Sequence, residues 1–164
     1  MTRHPTLDET ALSPDQQVIF DQIANGPRGK VVGPLRVWLQ SPGLAAQAQA
    51  LGQYARYDSF LPPHLSELAI LVTARYWSSG FEWVHHVPIA LDAGVPPEAV
   101  TAIGKAQQFV FADRQMQIIF DASVELHMEK NIRDQTYQAA LDTFGLQACV
   151  DLVGICGYYT LISM

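Results

Sequence analysis

Charge is scarce in this chain. Of its 164 residues only 16% are Asp, Glu, Lys or Arg, against roughly 25% in an average soluble domain. A surface so poor in charge is hard to cover, and burial between subunits is the natural outlet, so a homo-oligomer is expected. Positive charge is scarcer still: ten Lys and Arg face sixteen Asp and Glu, for a net charge of −6. No basic cluster relieves it, which excludes nucleic acid and anionic membrane as expected partners. No uninterrupted apolar run approaches the ~20 residues that span a bilayer. The opening MTRHPTLDET has no apolar signal region, so a soluble, cytoplasmic protein is expected.

Cysteine is nearly absent as well, with Cys149 and Cys156 alone. Seven residues apart on one helix, they stand about 10.5 Å apart along its axis. A disulfide needs Cα atoms within roughly 7 Å, so the pair cannot bridge within an intact helix. Buried, inert thiols in a reducing compartment are the expectation. Period-2 strand patterns and hairpin signals are also missing, which predicts an all-α protein.

Helix starts punctuate what is there. Residues 1–12 read as a flexible arm. Ser13-Pro14 and Ser41-Pro42 each pair an N-cap with a proline at the first helical position, predicting helices to about Asn25 and Tyr57. Val31–Gln40 between them reads as one or two helical turns. Pro96-Pro97 opens a short helix, Asp113 caps a long amphipathic one, and Asp134 is expected to cap the next, which closes at Phe144-Gly145. An apolar helix, Leu146 to Met164, ends the chain. The segment Ile89–Gly94 is echoed by Ala139–Gly145 with one residue inserted, which is compatible with a duplicated helical unit.

The organising stretch is Glu67 to His86, ELAILVTARYWSSGFEWVHH. Its first helix is apolar almost all round, so it is expected to be buried, with Glu67 on the face of Ile70, Leu71 and Ala74. After a break at Ser78-Ser79-Gly80, a second helix carries Glu82 and His86 four residues apart, about 6 Å between Cβ atoms. Pro88 lies inside it, where a kink is expected. Two carboxylates and an imidazole in an apolar region fit proton transfer. The plainer readings are that Glu67 and Glu82 are first-turn acids favoured by the helix dipole and that His86 is a hydrogen-bonded core histidine. His85 points elsewhere, toward surface or interface. A divalent metal on Glu67, Glu82 and His86 has no further ligand spacing in the chain to support it, and no metal is expected.

These residues, with Pro27-Arg28-Gly29, Gly33-Pro34, Ser41-Pro42, the IALDAG and DQTYQAALDTFG segments and Gly157-Tyr158-Tyr159, make the chain resemble the carboxymuconolactone decarboxylase family. The resemblance covers most of the chain. It implies a single domain over 1–164 with an alkylhydroperoxidase D-like multi-helix fold, assembled as a trimer or hexamer. Redox-active members carry a Cys-x-x-Cys pair feeding a Glu and His proton relay. Here the two thiol positions read Ser79 and Glu82, while the acid and imidazole match Glu67 and His86. Without a thiolate there is no nucleophile for peroxide, so the chain is similar to the non-redox branch.

Lactone decarboxylation, a reaction of aromatic-compound catabolism, is the activity this resemblance implies. It needs no cofactor. A carboxylate beta to an electron-withdrawing carbon leaves as CO₂, and an acid protonates the enolate-like carbon; His86 or a glutamate kept neutral by burial serves. The expected catalytic residues are therefore Glu67, Glu82 and His86, acting on a small carboxylated lactone or enolisable acid. Arg28, Arg75, Ser79 and Trp83 are the expected substrate-binding residues, the arginines as cations for an anionic substrate or else as solvated, structural ones. The rival expectations are an oligomeric binding protein that keeps the fold without chemistry, and thiol-based peroxide reduction.

Overall fold

Proline sets most of the helix starts, as the sequence predicts. In the computed structural model, which describes residues 7–164, α1 (Pro14–Asn25), α2 (Pro34–Trp38), α3 (Pro42–Gln53), α4 (Pro63–Tyr76) and α6 (Pro97–Gly104) all begin on a proline. There its missing N–H is one the helix would leave unbonded anyway. The others are α5 (Gly80–Ala93), α7 (Arg114–Glu129) and α8 (Asp134–Ser163), and a π-helical turn, Tyr54–Asp58, follows α3. The protein is all-α, with no strand among the described residues.

Two compact units divide the chain, 1–57 and 58–164. In the first, α3 packs on α1 and α2, around Ile19, Ile23, Leu35, Leu39 and Ala45. Ser13 and Gln16 close a reciprocal capping box on α1, which satisfies two of its free donors. The expected arm at residues 1–12 is only partly open to description, since 1–6 lie outside the described residues. Leu7 is buried in this core, its carbonyl accepts from Arg36 Nη2 at 3.0 Å, and Arg36 also pairs with Glu9.

The second unit is built around α4, which packs against α5, α6, α7 and α8. All ten residues from Leu65 to Ala74 are buried. A helix touched on every side has no polar face, and this explains the unbroken apolar run. Helix α5 continues through Pro88 to Ala93.

Asp113 caps α7 as expected, accepting from the N–H groups of Gln115 and Met116. Asp134 does not cap α8: Arg133 is the N-cap residue and Asp134 the first helical one. The capping carboxylate comes instead from buried Glu125 on α7, whose oxygens accept from the Arg133 N–H at 2.9 Å and the Thr136 hydroxyl at 2.8 Å. Helix α8 breaks where the sequence predicts, at Gly145, whose φ of 83° is non-helical. Gly94, at the matching point of the repeated segment, ends α5 with φ 105°. Both positions need the left-handed conformation that glycine adopts without strain. Helix α8 is also the one described helix long and apolar enough to cross a membrane. Its Asp151, Ile155, Cys156, Tyr158 and Tyr159 are nonetheless buried.

Candidate proton-relay site

Glu67 lies in the second turn of α4, beyond the reach of a first-turn capping role, and is only 4% exposed. The chain reverses after α4 through Ser78, at φ 51°, and the Ser79 N–H donates to the Ala74 carbonyl at 2.9 Å. That bond occupies the donor a capping carboxylate at Glu82 would have used. Helix α5 then brings Glu82 and His86, each 2% exposed, against α4.

The three side chains meet. His86 Nδ1 lies 2.7 Å from Glu67 Oε2, and Nε2 lies 3.5 Å from Glu82 Oε2. The imidazole is thus held between two carboxylates, one on each nitrogen. The contact with Glu67 at Nδ1 fixes the ring and leaves Nε2 facing Glu82. Glu82 Oε1 is buried with no hydrogen-bond partner among the described residues. A buried carboxylate oxygen left without a donor carries a desolvation penalty, and such orphaned groups concentrate where function requires them. Because the carboxylates sit on opposite sides of the ring, they do not converge on one point. No His, Cys, Asp or Glu cluster suited to a metal ion occurs among the described residues.

Tyr159, from the end of α8, stands edge-on to His86 with ring centroids 5.0 Å apart and planes at 89°. The sequence marks it as part of the Gly157-Tyr158-Tyr159 segment of an apolar helix and gives it no site role; its place beside the imidazole follows from how α8 folds back on α4. His85, one residue before His86, stacks on Phe81 on the outer side of α5.

The expected substrate-binding residues fall in different places. Ser79, the N-cap residue of α5, and Trp83 on that helix line a cavity of about 230 Å³ together with Arg75. Arg75 stands eight residues beyond Glu67 on α4, about 12 Å along the axis, and its Nε donates to the Gly104 carbonyl at 3.0 Å. Along α4, Arg75 therefore stands about two turns away from Glu67. Arg28 is half-buried in the turn after α1, in the first unit.

A second buried histidine was not singled out by its sequence context. His127 on α7 has Nε2 2.8 Å from the Thr73 hydroxyl. That hydroxyl donates to the Ala69 carbonyl at 2.8 Å, so His127 is the donor to Thr73. Tyr76 stacks on its ring at 4.9 Å, and Lys130 Nζ lies 4.6 Å from the Tyr76 ring centre. Burial first, and then the Lys130 charge, push the His127 pKa down to about 4. Cys156 is buried beside Ser123 at 3.9 Å, and burial pushes its thiol up to about 11. Cys149 is raised for the same reason. Both are free thiols.

Compared with protein-family models, with curated proteins and with solved structures, the chain finds no match.

Proposed function

We propose that this protein is a cofactor-free lyase of the non-redox carboxymuconolactone decarboxylase type, acting on a small carboxylated lactone or enolisable acid. The observation that carries the reading is the buried Glu67–His86–Glu82 line, with one carboxylate at 2.7 Å and the other at 3.5 Å from the two ring nitrogens. Glu67 orients the ring. His86 and Glu82 hold the mobile proton, and the unpartnered Glu82 Oε1 faces the reacting carbon. Ser79, at the N-cap of α5, and Trp83 contact the substrate. In the reaction the bond to the substrate carboxyl carbon breaks and CO₂ leaves. Its electron pair moves onto the neighbouring carbonyl oxygen as an enolate, and the relay proton is delivered to the carbon that held the carboxylate. A solvent proton then recharges the relay.

Other features agree with the family reading. The order α4, α5 with a left-handed glycine end, α6 parallels α7, the first part of α8 with its left-handed glycine, and the rest of α8. That parallel supports an internal duplication within an alkylhydroperoxidase D-like fold. Leu146, Val150 and Val153 on α8 are 61%, 62% and 47% exposed, an apolar stripe in keeping with a homo-oligomer, a trimer or hexamer. The excess of negative charge and the packing of α8 suit a soluble, cytoplasmic protein.

The test is CO₂ release from a carboxymuconolactone, alongside solvent-deuterium uptake by a panel of small enolisable acids. Glu82→Gln and His86→Ala are each expected to lower turnover by roughly 10²–10⁴-fold while the fold persists. Wild-type protein inert on the whole panel, or both variants fully active, overturns the reading. Inert wild type that still binds the acids would mark a binding protein instead.

A further inference from the structure

Arg75 lines more than the cavity it shares with Ser79. On its other side a second cavity, of about 290 Å³, opens between α4, α6 and α7. Its walls include Ile103, Phe120 and Val124, and its rim carries Gln107 and Gln108. No acidic side chain lines it, and among the described residues Arg75 has no acidic partner. A guanidinium without a carboxylate is unusual company for apolar walls, the more so in a chain of net charge −6.

The arginine is held in place from behind. Gly104 ends α6, where helix carbonyls lack partners, and its carbonyl takes the Arg75 Nε–H at 3.0 Å. Glycine leaves room there: a Cβ on Gly104 would come within 3.1 Å of the Trp83 ring and press it aside by a few tenths of an ångström. With Nε engaged, the two terminal nitrogens remain as a planar fork, which matches a carboxylate bidentately. The chain leaves α6 through Ala106 at φ 54°, a turn that carries Gln107 and Gln108 to the rim.

We propose that this cavity is a binding site for a small monocarboxylic acid with an aromatic or branched apolar body. The carboxylate lies on the Arg75 fork, and the body lies against Ile103, Phe120 and Val124. Pockets that bind small molecules combine apolar walls with a few fixed polar groups in this way. The volume, nearly twice the ~150 Å³ that takes up a benzene ring, admits a ring with its carboxylate and further substituents. The site does not depend on the relay reading, because Arg75 stands about 12 Å along α4 from Glu67.

The experiment titrates benzoate into the full-length protein, followed by calorimetry or by NMR shifts. Saturable binding of benzoate is expected, with neutral benzamide at least tenfold weaker. Arg75→Gln should weaken benzoate at least tenfold, and Val124→Phe, which fills the cavity and leaves the charge, should do the same. Met128→Glu, at a lining residue that is 68% exposed and tolerant of change, should also weaken binding through repulsion if Val124→Phe fails to fold. Glu82→Gln should bind benzoate as the wild type does, which separates this site from the relay. Benzoate binding unchanged in the Arg75 and Met128 variants overturns the proposal. So does inorganic phosphate competing as well as benzoate, since that would mean charge alone is read. Light scattering in which Met128→Glu breaks an oligomer that benzoate leaves intact would assign the cavity to a subunit contact, and would equally overturn it.

Discussion

Two buried histidines in one helical unit have opposite surroundings. His86 is held between Glu67 and Glu82. His127 donates to a threonine hydroxyl and lies in the field of Lys130, with its pKa depressed to about 4. Both are nearly inaccessible, at 2% and 6% exposure. Burial alone therefore does not set what an interior imidazole does. Carboxylates stand at both nitrogens of His86, whereas burial first, and then the Lys130 charge, keep His127 neutral. The first arrangement suits chemistry and the second suits packing.

The sharpest way to break this contrast is to place thiols in each setting. Ser79→Cys with Glu82→Cys puts one cysteine at the N-cap of α5 and one in its first turn, near its positive end, where thiolate is favoured. With Glu67 and His86 in reach to move protons, the double variant should form a reducible disulfide on exposure to peroxide and turn over peroxide with a dithiol reductant. The parent should show none of this activity. Its Cys156, already lodged beside the His127 cluster with a thiol pushed up to about 11, should resist thiol reagents until the protein unfolds. Peroxide turnover by the parent, or cysteines at 79 and 82 that never pair, would refute the proposed resemblance to a redox Cys-x-x-Cys site.

Stability should separate the two clusters next. Glu67→Ala removes the carboxylate bonded to His86 and leaves polar groups buried around it, at a cost of about 3–5 kcal/mol. Thr73→Val leaves only the His127 N–H without an acceptor, at about 1–3 kcal/mol. Urea unfolding of both variants measures the difference; equal losses would show that the carboxylates carry no special weight.

A further contrast lies in pH dependence. His127 has a folded pKa near 4 and an unfolded value of about 6.5, so the unfolded chain binds the proton first. Its contribution to stability is full above about pH 6.5 and declines as pH falls toward 4. Replacing it by Gln should flatten the stability curve in that window. An unchanged curve would remove His127 as a source of acid sensitivity.

Much of this arrangement was legible in the chain. Proline after serine marked α1 and α3, an apolar run marked α4 as buried, and a four-residue spacing put Glu82 and His86 on one face, because helical periodicity is local and carries its own sterics. The break at Gly145 was legible too, since glycine there repeats the glycine that ends IALDAG. Tertiary packing decided the rest. That Glu67 reaches His86 Nδ1 depends on how α5 turns back along α4. That α8 is capped by Glu125, nine residues before Asp134, depends on where the end of α7 lies. Thr73 meets His127 across 54 residues, and Arg75 Nε donates to the Gly104 carbonyl across 29. Each is a contact between side chains distant in sequence. Its geometry is set by the angle between packed helices, and no pattern along a single helix encodes that angle.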